Sequence, residues 1–310
     1  FDLLIEDDLI EEVARMVGYD ALPTTPPHGP ITAHVRGEAR RSAFAVRRQL
    51  AALGYQETIN YSFVEARWER ELAGNDDPVR LLNPIASQMG VMRSTLLGSL
   101  LQVLKFNQDR RAVRVRVFEL GRVFLRDATV PDADRSVAGL HQPMRMAGMA
   151  MGTADPLQWS GNKDRGADFF DAKADVEALL APRRARFIAA AHPAMHPGRC
   201  ARVELDGQAV GYVGELHPRW RQAYELASAP VMFELDLEAV LQRPIPVFRP
   251  VAKHQPVERD IAVLVAERVS HADLMASVFA APTGGLLRHA TLFDVYRPKA
   301  AAAKGEATVV

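Results

Sequence analysis

The acidic side chains near the start of this 310-residue chain include those of Asp2, Asp8, Glu11 and Glu12. Positions 8, 11 and 12 are three and four residues apart, so on a helix their carboxylates converge over one turn, and Asp2 can approach from the preceding segment. Gathered carboxylate oxygens suit Mg²⁺, which prefers octahedral oxygen ligation and retains several waters. A structural role is also open, because Asp8 to Glu11 has the form of a capping box and acidic residues in a first turn favourably meet the helix dipole. On spacing alone, the cap is the favoured interpretation.

Two basic clusters could contact the phosphates of a nucleic acid. The first consists of Lys105, Arg110, Arg111, Arg114 and Arg116, and the second of Arg183, Arg184 and Arg186. A solvated basic surface explains either cluster as well. Lys plus Arg and Asp plus Glu both number 38, so net charge gives no general indication of a nucleic-acid partner.

The histidine and cysteine residues indicate structural roles rather than a metal site or a nucleophile. His192, His196 and His217 each precede a proline, which favours extended loop backbone over a helical pair of ligands. Cys200 is the only cysteine, which excludes an intrachain disulfide and fits a reducing, cytosolic setting. We expect it to be a small buried side chain. No apolar run is long enough to span a membrane.

Apolar periodicity predicts the elements of the first half of the chain. Helices are predicted over 3–17, ended by Gly18, over 37–53, ended by Gly54, and over 94–108, beginning at Ser94. The Pro-rich segment 22–30 cannot continue a helix and is predicted to be an extended linker. Alternation over 56–63 predicts a half-buried strand with Ile59, Tyr61 and Phe63 on its apolar face.

Strands dominate the rest of the chain. They are predicted over 113–117, 144–152 and 231–237, with a helix over 171–181 and a hairpin turning at Asp206-Gly207. A new unit is predicted beyond 243–246, with a strand over 260–265, a helix over 270–279 and a strand over 286–296. Few strands are separated by crossover helices, so an α+β fold with a largely antiparallel sheet and flanking helices is predicted.

Several sequence runs resemble the β subunit of bacterial phenylalanine–tRNA ligase, and they occur in that family's order along essentially the whole chain. They are Phe1-Asp2-Leu3 and Glu6 to Arg15, Leu82-Asn83-Pro84-Ile85, Met92-Arg93-Ser94, Phe118-Glu119-Leu120-Gly121-Arg122, Asp168-Phe169-Phe170-Asp171, His196-Pro197-Gly198-Arg199, Gly214-Glu215-Leu216-His217-Pro218, Arg259-Asp260-Ile261 and Leu292-Phe293-Asp294-Val295-Tyr296. The chain begins with Phe1 rather than Met. We therefore expect it to be the C-terminal portion of a longer subunit, with the family's editing domain upstream.

The resemblance implies three parts. Residues 1–34 would be the end of a helix-turn-helix-like (B5-type) domain with its Pro-rich linker, 35–242 a class II synthetase-like core, and 243–310 a truncated ferredoxin-fold anticodon-binding domain. In the last part, Phe293 and Tyr296 are candidates for stacking on unpaired anticodon bases, although either could be an ordinary core residue. The helix and strand over 37–63 resemble the class II element that builds the subunit interface.

The resemblance also changes the interpretation of the acidic cluster. Asp2, Asp8, Glu11 and Glu12 match the positions at which the family binds Mg²⁺ at the boundary with its α subunit. A weak or empty site is therefore expected when that partner is absent.

Two nucleotide-binding elements of class II synthetases have lost their signatures here. Segment 113–127 resembles the strand-loop element that in active members carries Phe-Arg-x-Glu, whose arginine holds the α-phosphate of ATP. This chain has Phe124-Leu125-Arg126-Asp127, and the shift of one position would turn the arginine to the opposite face of a strand. The second element, expected near 231–242, contains neither glycine nor arginine.

The resemblance thus implies a non-catalytic part of a phenylalanine–tRNA ligase, the cytoplasmic enzyme that uses ATP to charge tRNA-Phe. The α subunit of an α2β2 heterotetramer would supply the active site, and Mg²⁺ would be shared with it. Two other interpretations are open. One is a stand-alone nucleic-acid-binding or metal-binding module without a ligase role, and the other is an independently active ligase, which the altered nucleotide elements disfavour.

Overall fold

The structure is a computed structural model that describes residues 3–26, 28–33, 35, 37–159, 165–248, 250–251 and 253–296, and the backbone of 308–309. The chain divides into two compact units, Phe1–Pro246 and Val247–Val310. Among the described residues, no helix is both long enough and apolar enough to cross a membrane.

The first unit contains seven helices among its described residues, and most of them flank a central sheet. The helices are α1 (Glu6–Val17), α2 (Ala43–Ala52), α3 (Ala66–Trp68, continued by a π-helical turn over Glu69–Ala73), α4 (Leu97–Asp109), α5 (Phe169–Leu180), α6 (Pro218–Ala223) and α7 (Leu237–Leu241), with 3₁₀ turns over Tyr19–Ala21 and Ser87–Met89.

The central sheet has seven strands in the order β1-β4-β7-β11-β10-β9-β8. They are β1 (Gln56–Glu57), β4 (Val115–Arg122), β7 (Met144–Met151), β8 (Arg186–Ala189), β9 (Met195–Leu205), β10 (Gln208–Leu216) and β11 (Val231–Asp236), and two small ladders pair β2 (Phe63–Val64) with β3 (Val91–Met92) and β5 (Leu125–Arg126) with β6 (Leu140–His141). Only the β1–β4 pair of the central sheet is parallel. The predicted α+β architecture with an antiparallel sheet and flanking helices is therefore confirmed.

Each face of the sheet buries its own hydrophobic core, because successive side chains of a strand point to opposite faces. Residues such as Phe118 and Phe233 pack with α2, α5 and α7, whereas Val117, Met149 and Met232 pack with α4 and α6. We call these the α5 face and the α4 face. On the α5 face, the ring of Phe233 fits only because its pairing partner is glycine: a Cβ at Gly148 would lie 2.4 Å from Phe233 Cζ.

The hairpin between β9 and β10 has the predicted two-residue turn. Asp206 and Gly207 both have positive φ, 51° and 82°. This conformation is typical of a type I′ turn, whose twist matches that of antiparallel strands. The turn thereby sets the pairing of Gln208 with Leu205, from which the ladder continues.

Helix boundaries differ from the predicted ones by a few residues. Helix α2 begins only at Ala43, where the Ser42 side chain caps it by accepting a hydrogen bond from the Ala45 amide at 3.2 Å. Helix α4 begins at Leu97 rather than Ser94, because the Ser94 side chain is bonded to Glu69 instead. Helix α5 is capped by Asp168, whose carboxylate accepts hydrogen bonds from the amides of the first turn.

The predicted half-buried strand over 56–63 is wrong. The segment is split between β1 and β2, and Ile59 and Tyr61 are 92% and 65% exposed. Among the described residues, no element covers these two side chains.

The second unit contains α8 (His271–Ala280), capped by Ser270 as predicted, and a ladder of β12 (Leu264–Val265) with β13 (Thr308–Val309). The predicted strand over 260–265 is reduced to its last two residues, and the described residues of 286–296 form no strand. The ferredoxin-like assignment stays a prediction.

Candidate functional site on the central sheet

Part of the predicted acidic site forms the beginning of α1. Asp2 lies outside the described residues. Oδ2 of Asp8 accepts hydrogen bonds from the amides of Leu4 and Ile5 at 2.7 and 3.0 Å. These bonds, that from Ile5 first, lower the pKa of Asp8 below its usual range. Asp8 thus binds free amides at the start of α1. It does so from within the first turn of the helix, whereas the capping-box pattern had predicted that Asp8 would precede the helix.

The other acidic residues of the cluster have separate surroundings. Glu12 forms an ion pair with Arg15 one turn later. Among the described residues, no three His, Cys, Asp or Glu side chains are grouped so that they could hold a metal ion. Because Asp2 lies outside the described residues, the Mg²⁺ site stays a prediction.

A row of polar side chains crosses the α4 face of the central sheet. Glu119 of β4 and Glu234 of β11 both pair with Ala147 of the intervening strand β7. Paired residues point to the same face, so the two carboxylates lie in one line across three strands. Both are buried. We call this arrangement the Glu119–Glu234 row.

Arg93 neutralises the Glu119 end of the row. Its Nη1 lies 2.8 Å from Glu119 Oε1, and the two side chains are only 3% and 4% exposed. Its Nε donates to the carbonyl of Arg122 at 3.1 Å, and the Asn60 side chain donates to Glu119 Oε2 at 2.8 Å. Such a buried pair is tolerated because these further hydrogen bonds satisfy its remaining polar atoms.

Both carboxylate oxygens of Glu234, at the other end of the row, accept hydrogen bonds. Its Oε1 accepts hydrogen bonds from the Leu96 amide at 2.6 Å and from Thr95 Oγ1 at 2.9 Å. Its Oε2 accepts one from Arg145 at 2.9 Å. The carboxylate therefore holds the start of α4 against the sheet.

A third buried carboxylate lies close to the row. Glu69 accepts hydrogen bonds from the backbone and side chain of Ser94, and at 3.2 Å from Asn75 Nδ2. Burial raises its pKa above the usual range. Residues 93–95 thus give one partner each to Glu119, Glu69 and Glu234, which explains why a short polar run lies inside a buried segment.

The row lies in the two segments, 113–127 and 231–242, that correspond to the nucleotide-binding elements of class II synthetases in the sequence-based prediction. Glu119 lies in β4, within 113–127, and Glu234 lies in β11, within 231–242. Arg126, the arginine displaced from the expected position, forms an ion pair with Asp77 at 2.9 Å. The three arginines Arg93, Arg126 and Arg145 are thus all paired with carboxylates of this chain. Sequence reasoning missed this row, although a carboxylate inside an apolar run, as at Phe118-Glu119-Leu120, was a usable signal.

The first basic cluster divides into exposed and inward-facing parts. Lys105 pairs with Asp109 at 2.6 Å, and the Arg110 guanidinium stacks on the Phe106 ring at 3.3 Å. Arg114 and Arg116, by contrast, point into the protein.

In the second basic cluster, Arg183 forms an ion pair within the chain. Arg183 binds Asp206 at 2.6 Å. Arg186, in β8, is exposed. Both RNA-binding candidates of the second unit are exposed as well, Phe293 by 76% and Tyr296 by 62%.

The three pre-proline histidines have the predicted local roles. The Nδ1 atoms of His192, His196 and His217 accept hydrogen bonds from backbone amides, at 3.2, 2.9 and 3.1 Å. Cys200 is buried, and burial raises the pKa of its thiol to about 11, so it remains protonated and is a poor nucleophile at neutral pH.

Residues 22–237 match the family described as the phenylalanyl tRNA synthetase beta chain CLM domain. Curated relatives named phenylalanine–tRNA ligase beta subunit include one from Cupriavidus pinatubonensis, 51% identical over 98% of this chain and 38% of its own length. A second, from Burkholderia pseudomallei, is 52% identical over 96% of this chain and 37% of its own length. This chain therefore spans a little over a third of these relatives.

A solved structure, the pyrrolysyl tRNA synthetase PylSc of Desulfitobacterium hafniense, is 13% identical with a TM-score of 0.45, over 65% of this chain and 66% of that one. This likeness is too weak to carry an argument. The family match does not depend on this structure. It covers more than half of the chain and includes the strands that hold the Glu119–Glu234 row. The chain belongs to the phenylalanyl-tRNA synthetase β-chain family.

Proposed function

We propose that this chain is a non-catalytic part of a phenylalanine–tRNA ligase, supporting the ATP-dependent charging of tRNA-Phe at an active site in the α subunit. The Glu119–Glu234 row carries the proposal. The elements that would bind ATP in an active class II core instead bury carboxylates, and the arginines beside them are bound by those carboxylates. A phosphate placed at this row would meet two carboxylates whose neighbouring guanidinium groups, Arg93 and Arg145, are already paired, so the row opposes ATP binding.

The α subunit is the proposed partner, in an α2β2 heterotetramer in the cytoplasm. Exposed apolar side chains on the proposed interface element support this. Phe44 on α2 is 66% exposed, and Ile59 and Tyr61, which follow β1, are 92% and 65% exposed. Large exposed apolar side chains are often found at protein–protein contacts.

The same interface would complete the Mg²⁺ site. We propose that Asp2, Asp8, Glu11 and Glu12 hold Mg²⁺ only when the α subunit adds its contribution, because two of the carboxylates have local partners in this chain. Mg²⁺ there would supply positive charge to draw the acidic cluster together.

The domain organisation is proposed as predicted, with parts over 1–34, 35–242 and 243–310. The division between Pro246 and Val247 supports a boundary near 243. Phe293 and Tyr296 are proposed RNA-stacking residues, which their exposure supports.

Two measurements test the function. The chain alone should show no phenylalanine-dependent ATP–pyrophosphate exchange, and with the α subunit it should form a complex on size exclusion. Ile59→Asp should weaken that complex, because it places a charge on the proposed apolar contact, whereas Leu157→Asp, at another position 93% exposed, should not. Exchange by the chain alone would overturn the non-catalytic assignment, and equal effects of the two substitutions would overturn the interface.

A further inference from the structure

A small cleft lies at the edge of the central sheet, where β1 meets the beginning of β4. Its volume is about 120 Å³, and its lining includes Gly54, Gln56, Asn107, Arg114 and Arg116. One water needs roughly 10–15 Å³ of such space, so the cleft can hold several waters or one compact polyatomic ion. The cleft is separate from the Glu119–Glu234 row, because neither Glu119 nor Glu234 lines it.

Arg116 has a hydrogen-bond donor that the chain does not use. Its side chain is only 9% exposed, Nη1 donates to the Leu53 carbonyl at 2.9 Å, and the guanidinium lies 4.9 Å from the centre of the Tyr55 ring. Nε is buried and, among the described residues, has no hydrogen-bond partner. A buried donor without a partner is costly and points to a water or ion that completes the site.

Among the described residues, Arg116 of the cleft has one carboxylate within ion-pair distance and Arg114 has none. Arg114 donates to the neutral carbonyls of Thr153 and Ala154, at 3.1 and 3.2 Å. The carboxylate paired with Arg116 is that of Asp175, 3.6 Å from Nη2, and it also accepts a hydrogen bond from Tyr55 at 2.8 Å. Burial raises the pKa of Asp175 above its usual range.

The two arginines act unfavourably on each other. Burial, followed by the charge of Arg116, lowers the pKa of the Arg114 guanidinium, and the charge of Asp155 opposes this only in part. An anion between them would relieve this repulsion, because guanidinium groups bind tetrahedral oxyanions through charge-assisted hydrogen bonds.

We propose that this cleft binds a phosphate group, held by the guanidinium groups of Arg114 and Arg116 with Gln56 at the entrance. The phosphate can be free in solution or belong to an RNA backbone. Binding of free phosphate is independent of the proposed ligase role, whereas binding of an RNA phosphate rests on it.

Inorganic phosphate, titrated into the full chain at constant ionic strength, tests the proposal. The Nε–Hε signal of Arg116 should shift in a ¹H–¹⁵N spectrum, with saturation at a single site. Arg114→Gln removes one guanidinium, and Gln56→Glu places a competing carboxylate at an exposed position that should not disturb folding. Each should weaken phosphate binding at least tenfold. Arg135→Gln, in the exposed loop between β5 and β6, is the matched loss of a positive charge and should leave binding unchanged.

The outcomes are separable. Equal phosphate responses in all variants, or none in the unmodified chain, would overturn the proposal and leave a water-filled cleft. If phosphate binds, a tRNA transcript distinguishes its source. If tRNA competes with phosphate, and if the tRNA affinity of Gln56→Glu depends less on salt than that of the unmodified chain, the bound group is an RNA phosphate. If Gln56→Glu leaves the tRNA affinity unchanged, the bound group is a free ion. Failure of the ligase proposal would show separately, as absence of a complex with the α subunit.

Discussion

Gly121 lies beneath the guanidinium group of Arg93, and a Cβ atom added at Gly121 would stand 2.3 Å from Arg93 Nη2. The same atom would be 3.1 Å from Glu119 Oε1. The missing side chain therefore makes the space in which the buried ion pair forms. Gly121 is needed for this close approach, whereas its backbone φ lies outside the left-handed region.

Gly121→Ala is expected to destabilise the first unit by roughly 1–3 kcal/mol, the usual cost of forcing extra volume into a packed core. The Arg93 guanidinium would have to move away from Glu119, which weakens a pair that has little access to water. Urea denaturation followed by circular dichroism measures the loss. Gly37→Ala is the control, because a Cβ at Gly37 would meet no atom within 4 Å. Equal stability of the two variants would contradict the close packing of Gly121 and Arg93.

Arg93→Met should cost about 3–5 kcal/mol, because it leaves the Glu119 carboxylate buried without its counter-charge. Adding Glu119→Gln to this variant removes the uncompensated charge, so the double variant should be more stable than Arg93→Met alone. Free energies of unfolding of the two single variants and the double variant test the coupling. Additive losses would show that the pair does not act as a unit.

The central sheet could be predicted because its signals are local. The strand expected over 144–152 is β7, and the Asp-Gly turn specifies the β9–β10 hairpin through backbone conformations of two adjacent residues. The error over 56–63 has a clear physical reason. Alternation shows which side chains share a face but not whether another element covers that face, and here Ile59 and Tyr61 remain exposed.

The Glu119–Glu234 row could not be predicted from local periodicity. The two carboxylates align only because β7 lies between β4 and β11, and this strand order depends on pairing between distant segments. What sequence could indicate was that Glu119 and Glu234, each flanked by apolar residues, would need partners if their strands were buried. The identity of those partners, Arg93 and Arg145, follows from the fold alone.

Stability should decrease as pH falls through the region near 6.5, in part because of His192. Burial lowers the pKa of His192 below its usual value of 6.5. The unfolded chain therefore takes up a proton at a pH where the folded chain does not, and this favours unfolding as the solution becomes more acidic. In His192→Gln this contribution is absent. The stability lost by the substitution at pH 7.5 should therefore shrink at pH 5.5, as measured by urea denaturation at both values. A difference that is constant with pH would contradict the prediction.

Asp8→Ala should reduce the helicity of α1, whereas Glu11→Ala should not. Oδ2 of Asp8 accepts two amide hydrogen bonds at the beginning of the helix, and none of the residues of α1 is buried, so little tertiary packing compensates for their loss. Backbone chemical shifts of residues 6–17 in the full chain report this directly. Both substitutions remove one carboxylate of the proposed Mg²⁺ site, so in the complex with the α subunit both should weaken Mg²⁺ binding. A loss of helicity confined to Asp8→Ala, with a loss of Mg²⁺ affinity in both, would separate the two roles of Asp8. Unchanged Mg²⁺ affinity in both variants would leave Asp8 with the capping role alone.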